Sequence, residues 1–233
     1  MKNSFFAGLL SLTIMISCQP DKQLTNYVNP LLGTATLWET KDLGYERHLK
    51  TRTWGAEVFP GSSVPNAMVQ LSPVTQFRSG AGYQYEDTVI YGFSHTNKGH
   101  WNLLHLPVLP VTGNISSGDY ASTYSHSNES ARPGYYQVFL ERYGVNAELT
   151  STLRCAYHKY TFRPDDDKKV LVDITRTNNG VRDWSIQKVD DYTFSGNQDA
   201  EGNIRFYAVS NYKIEDIRQL KDGEHEVSVV SFA

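Results

Sequence analysis

The chain has 233 residues and a mass of 26.4 kDa, enough to bury a core in one large β domain or two small ones. Lys and Arg total 22 against 25 Asp and Glu, a net charge of −3, so no basic excess points to nucleic acid. Apolar residues at 39% and aromatics at 12% argue against disorder, and no apolar run reaches the ~20 residues of a membrane-spanning helix.

The first segment reads as an address. Lys2 is followed by the apolar run Phe5–Ile16, and Met15-Ile16-Ser17-Cys18 resembles a bacterial lipobox. Residues 1–17 are thus predicted to be a lipoprotein signal peptide, Cys18 its lipidated cysteine and 18–26 a polar tether. A plain signal peptide cleaved nearby is the alternative. Export to the outer membrane, facing periplasm or cell surface, follows from the lipobox. Without Lys2 the mature chain carries 21 basic and 25 acidic residues. Cys155 is then left without a disulfide partner, and its strand-like surroundings predict a buried, inert thiol.

From residue 68 onward the dominant period is two. Met68–Leu71, Thr88–Phe93, Leu106–Val111, Tyr135–Arg142, Ala147–Leu153 and Ala156–Phe162 read as strands. So do Lys169–Ile174, Trp184–Val189, Asn203–Val209 and Glu226–Phe232. Turn residues punctuate them, among them Pro73, Gly80, Gly82, Gly113, Pro133-Gly134, Asn179-Gly180, Gly196-Asn197 and Asp222-Gly223. Many short strands with such turns predict an all-β sandwich. A short, weak helix is predicted near Ile214–Leu220. The chain stops at Ala233 inside a strand pattern, which predicts that Val227, Val229, Val230 and Phe232 lack a covering partner.

Two stretches carry no simple strand pattern: Leu32–Val64, and Ser94–His105 with three histidines and Trp101. Long ordered loops on a β scaffold are where binding concentrates. His95, His100 and His105 recur every five residues, a spacing that neither strand nor helix gathers, so only an irregular loop could bring them to one metal. Ser79-Gly80-Ala81-Gly82 precedes a strand rather than a helix and reads as a turn, not a nucleotide loop. Asp165-Asp166-Asp167 lacks calcium-loop spacing and reads as a solvated turn. No nucleophile triad stands out.

Six blocks in order resemble the N-terminal domain of glycoside hydrolase family 92, the calcium-dependent exo-α-mannosidases. They are Tyr27-Val28-Asn29-Pro30 with Gly33-Thr34, then Phe59-Pro60-Gly61 leading to Met68–Pro73. Gly82-Tyr83 with Ile90–Thr96 comes next, then Pro110–Gly113. Ser125-His126, Glu129, Ala131 and Pro133–Tyr136 form the fifth, and Ala147–Thr150 with Thr152 and Arg154 the last. The resemblance runs from residue 27 to about 162; beyond 165 only strand patterning continues. Asn97–Asn102 departs from the family's usual Ser-Gly-Thr-Gly loop. Asn66-Ala67 replaces Phe-Gly, which predicts a strained turn at Ala67.

The resemblance implies an antiparallel β-supersandwich of galactose-mutarotase type over residues 27–233, preceding a larger (α/α)6 barrel that this chain does not reach. In the family that barrel supplies the acid, the base and the calcium ligands. No catalytic residue, metal ligand or bound cofactor is therefore expected here, and calcium belongs to the full-length enzyme. The implied role is one wall of a cleft for mannose-containing glycans. A free-standing carbohydrate-binding module or an inactive fragment is the competing reading. Trp101 offers an apolar face and an N–H, and His95 and His100 offer donors and acceptors, a set that suits a pyranose. Trp54 and Glu57 are second candidates for the same wall.

Overall fold

The structure, a computed structural model, describes residues 23–37, 56–98, 102–222 and 225–233. The leader, Cys18, Trp54, His100 and Trp101 lie outside the described residues.

The strands in chain order begin with β1 (Ser62–Ser63), β2 (Gln70–Val74), β3 (Val89–Ile90), β4 (Gly92–Ser94), β5 (Asn97–Lys98) and β6 (Asn102–Leu103). Next are β7 (Val108–Val111), β8 (Ser122–Thr123), β9 (Glu129–Arg132), β10 (Tyr135–Leu140), β11 (Val145–Ser151) and β12 (Ala156–Thr161). The last are β13 (Lys168–Val172), β14 (Asp183–Lys188), β15 (Thr193–Asp199), β16 (Asn203–Val209), β17 (Ile214–Asp222) and β18 (His225–Phe232). Short 3-10 turns at Leu24–Tyr27 and His126–Asn128 are the helical segments among the described residues.

A seven-stranded antiparallel sheet, β1-β2-β4-β7-β13-β18-β17, forms the middle layer. On one face its Leu71, Phe93, Leu109 and Leu171 meet Tyr136, Val138, Ala147 and Leu149 of the sheet β12-β11-β10-β9. On the other face Val108, Val170, Val172 and Val230 meet Phe194, Trp184 and Phe206 of the sheet β14-β15-β16. Cover on both faces explains why β7 and β13 lack the apolar–polar alternation of β10 and β12. The all-β sandwich expected from the sequence is the observed architecture.

Several local expectations are corrected. Ile214–Leu220 is not a helix but lies within β17. A register irregularity between Ile214 and Asp216 inserts an extra residue, so Ile214 and Ile217 both pack on the same cluster. That three-residue spacing is what imitates a helical period. The end of the chain is not an uncovered edge: β18 lies between β13 and β17, and Val227, Val229 and Val230 are buried. On that side the sheet's edge is β17, whose Glu215, Asp216, Arg218 and Lys221 are exposed, charges that discourage edge pairing.

Cys155 is exposed rather than buried, because it sits in the turn between β11 and β12, where its carbonyl accepts from the Thr152 N–H. Gly196 is not a turn but the middle of β15. A Cβ there would lie 2.7 Å from the Phe206 ring, so glycine is what lets that ring close over the strand. Pro73 likewise lies inside β2. The left-handed residue at the expected strained turn is Asn66, at φ 58°, and not Ala67; asparagine tolerates that conformation.

Candidate functional site

The stretch Ser94–His105 is a short hairpin rather than an irregular loop. β5 pairs with β6 in the register Asn97↔Leu103 and Lys98↔Asn102. Asn97 roots it: its Nδ2 donates to the Gln70 carbonyl at 2.7 Å and to Ser94 Oγ at 2.9 Å. The feet of the hairpin are His95 and His105, whose backbones meet where His95 N–H donates to the His105 carbonyl at 2.9 Å. Their rings diverge. His105 Nδ1 lies 2.8 Å from Thr96 Oγ1, while His95 Nδ1 lies 2.7 Å from the Leu106 carbonyl oxygen. The two rings therefore meet different partners, and among the described residues no group of three His, Cys, Asp or Glu side chains is placed to hold a metal ion.

Backbone strain collects around this hairpin. Six non-glycine residues are left-handed among the described ones: Glu57, Asn66, Arg78, Leu103, Leu104 and Leu106. All but Asn66 belong to one connected set of loops. Asn178 is the tie between them. Its Oδ1 accepts from the Arg78 N–H at 2.7 Å, its Nδ2 donates to the Ser79 carbonyl at 2.9 Å, and its N–H donates to the Leu103 carbonyl at 3.0 Å. Glu201 takes the Leu103 N–H at 2.7 Å and also bonds Asn179. Buried Gln198 accepts from the Leu106 N–H at 2.9 Å. Such strain persists only where surroundings over-determine it, and it clusters at functional sites.

Glu57 belongs to the same set. A Cβ on Gly80 would lie 2.8 Å from Glu57 Cγ, so the carboxylate arm rests on the glycine. Glu57 is half-buried at φ 50°, and its carboxylate makes no hydrogen bond or ion pair with a described residue. Arg176 stacks over Phe77 at 4.1 Å and lies 3.7 Å from the buried Asp173, joining the 76–82 loop to the 173–180 loop. The structure thus brings His95, one of the first-choice residues, and Glu57 into one loop network. Sequence reading missed the site role of Arg78, Asn178, Gln198 and Glu201; Asn179-Gly180 and Glu201-Gly202-Asn203 carried a signal there, and both read as turns.

A second line of groups reaches His95 from the opposite layer. His158, on β12, places its Nε2 3.1 Å from His95 Nε2, and Tyr160 Oη is 2.7 Å from His158 Nδ1. Burial pushes the His95 ring down to about 4. Burial, with the neighbouring His95 second, holds His158 well below the usual histidine range. Both rings are neutral at pH 7.

The Ser125-His126 and Glu129 block has a structural explanation. The Glu129 side chain is buried and accepts from Tyr83 Oη at 2.9 Å and Tyr136 Oη at 2.6 Å, with His126 Nδ1 at 2.6 Å. His126 Nε2 meets the Tyr85 carbonyl at 2.6 Å, and its ring stacks on Tyr85 at 3.9 Å. Burial and the adjacent Glu129 push both tyrosines up, so they remain donors.

The model of the glycosyl hydrolase family 92 N-terminal domain matches residues 27–222. The chain is similar to a family GH92 alpha-mannosidase from Bacteroides thetaiotaomicron, solved in complex with mannoimidazole, at 26% identity and a TM-score of 0.76. The match covers 91% of this chain and 30% of that one. A family GH92 inverting mannosidase from Bacteroides thetaiotaomicron VPI-5482 shares the fold at 20% identity and a TM-score of 0.67, covering 90% of this chain and 29% of that one. The chain therefore spans about 30% of the length of these mannosidases. No curated protein matches it.

Proposed function

The chain belongs to glycoside hydrolase family 92 as its N-terminal domain, and from that premise we propose that it serves as the non-catalytic β domain of an exported α-mannosidase. Its loop end forms one wall of a cleft for mannose-containing glycans. The observation that carries this reading is the set of left-handed residues that connects the hairpin to Glu57, a half-buried residue whose side chain lies on Gly80 with no hydrogen-bond or ion-pair partner among the described residues. A carboxylate so placed accepts hydrogen bonds from adjacent sugar hydroxyls, and His100 and Trp101 fall between β5 and β6 in the sequence. Trp54, three residues before Glu57 in the sequence, is a further candidate for contact with the sugar. The acid, the base and the calcium of the complete enzyme come from an (α/α)6 domain, the partner of this one.

Titrating the 233-residue chain with methyl α-mannoside, followed by backbone amide NMR, tests this. Shifts are expected in the loops around Glu57, Gly80, Leu103, Asn178 and Glu201, with no hydrolysis of the glycoside. Shifts confined to the outer face of the β9–β12 sheet, or none at high mannoside, would overturn it.

The lipobox supports export as an outer-membrane lipoprotein anchored through Cys18. Expressed in a bacterium, the chain is expected in the membrane fraction and Cys18→Ala in the soluble one, because several acyl chains hold firmly where none holds at all. Identical fractionation of the two would remove the anchor.

A further inference from the structure

The contact between His95 and His158 joins two different layers. His95 directly follows β4 of the seven-stranded sheet, and His158 is on β12 at the edge of the four-stranded sheet. The proton positions follow from one fixed acceptor. The Leu106 carbonyl only accepts, so His95 Nδ1 carries a hydrogen. In the neutral ring Nε2 is then bare and must accept from His158 Nε2–H. That leaves His158 Nδ1 bare, and it accepts from the Tyr160 hydroxyl. Each group has one compatible role, and the three bonds form a single directed relay.

The relay ends at the base of the hairpin. Leu106 is left-handed at φ 51°, its N–H is taken by Gln198, and its carbonyl is taken by His95. His95 and Leu106 are the residues flanking the hairpin on its two sides. We propose that His158 is a positioning residue for the sugar-facing hairpin, holding the His95 ring against Leu106 at the hairpin's base, and that protonation of His95 opens the clasp. This rests on the reading of the hairpin as part of the carbohydrate wall. A second proton on His95 must go to Nε2 and sets two N–H donors face to face across 3.1 Å, whereas a second proton on His158 goes to Nδ1, where the Tyr160 hydroxyl turns to accept it and the bond to His95 stays in place.

Few other charges bear on the pair. Tyr160 faces His158 from the same strand and burial keeps its hydroxyl protonated. The Phe93 ring of β4 lies 6.5 Å from the His158 ring. On the hairpin, His105 is turned away onto Thr96, with Glu201 acting on it. Among the described residues no carboxylate and no lysine or arginine acts on either ring. The response to acid therefore belongs to the two imidazoles.

Histidine ring nitrogen shifts and backbone amides of the full chain, recorded from pH 8 to pH 3.5, test the relay directly. At pH 7 His95 is expected protonated on Nδ1 and His158 on Nε2. Both rings should titrate well below 6.5, and the amides of Asn97 and Leu103–Leu106 should move at the His95 midpoint. His158→Phe removes the donor to His95 and is expected to weaken methyl α-mannoside binding about tenfold, the loss when only a tenth of the hairpins remain competent. His158→Gln keeps a donor for His95 and an acceptor for Tyr160, and should restore most of it. Ring nitrogens in the opposite tautomers, ordinary midpoints near 6.5, or hairpin amides indifferent to ring protonation would each overturn the proposal, and wild-type spectra alone decide these if a variant does not fold. If rings and hairpin titrate together but methyl α-mannoside shifts no amide, the clasp stands and the carbohydrate reading falls.

Discussion

Glu129→Ala is expected to lower the unfolding free energy by about 3–5 kcal/mol at pH 7, the combined cost of two stranded buried hydroxyls and the void left behind. The carboxylate is the common acceptor for Tyr83, Tyr136 and His126, and Tyr83 and Tyr136 belong to the cluster between the two larger sheets. Removing it strands two phenolic donors that have no route to water, each costing ~1–3 kcal/mol, and opens a void among packed rings. His126 would also lose the contact that orients it against Tyr85. Glu129→Gln keeps the volume and one acceptor oxygen but turns an amide donor towards donors, so it should fall between the two. Urea unfolding of the three proteins decides the matter. A Glu129→Ala midpoint within error of wild type would mean that the tyrosines find other acceptors and that this network does not hold the sandwich.

The difference between what the residues announced and what they concealed has a physical basis. Strands exposed on one face, such as β10, β12 and β16, alternate cleanly, and Asn203–Val209 was read to the residue. β15 stayed hidden because Thr193–Asp199 is polar and carries Gly196, a composition that reads as a turn until the Phe206 ring is seen to need the space. β17 was disguised by its bulge. At the site, the aromatic and histidine residues of the 94–105 stretch were visible as chemistry, but its hairpin form was not, since two-residue strands carry no period. The loop network was illegible for another reason. Asn178, Gln198 and Glu201 act through backbone groups about 75 to 100 residues away in sequence, and nothing local distinguishes a buried, tying asparagine from a turn asparagine. The His95–His158 contact spans 63 residues and two layers, and only the pairing of the sheets reveals it.

Acid is expected to weaken the fold well before its carboxylates titrate. His95 falls from an ordinary value of 6.5 to about 4 because the folded chain buries it, and His158 is lowered for the same reason. Between those values the unfolded chain binds protons that the folded chain refuses. Stability from these rings is therefore complete above pH 6.5 and is lost as pH falls towards 4. For His95 alone the loss is about 3 kcal/mol, a large share of a domain's marginal stability. The carboxylates act in a lower window. Glu148, held below the usual range by Lys159 and Tyr135, and Asp199, held there by Arg182, lose their contribution only when pH falls below about 4. Urea midpoints at pH 7, 5.5 and 4 should then decline steadily in the wild type, and less steeply in His158→Gln, which removes one titrating ring while keeping a donor and an acceptor in place. A midpoint level from pH 7 to pH 4.5, or the same slope in both proteins, would show that the two imidazoles are protonated in the folded chain at no cost, and the neutral relay would have to be abandoned.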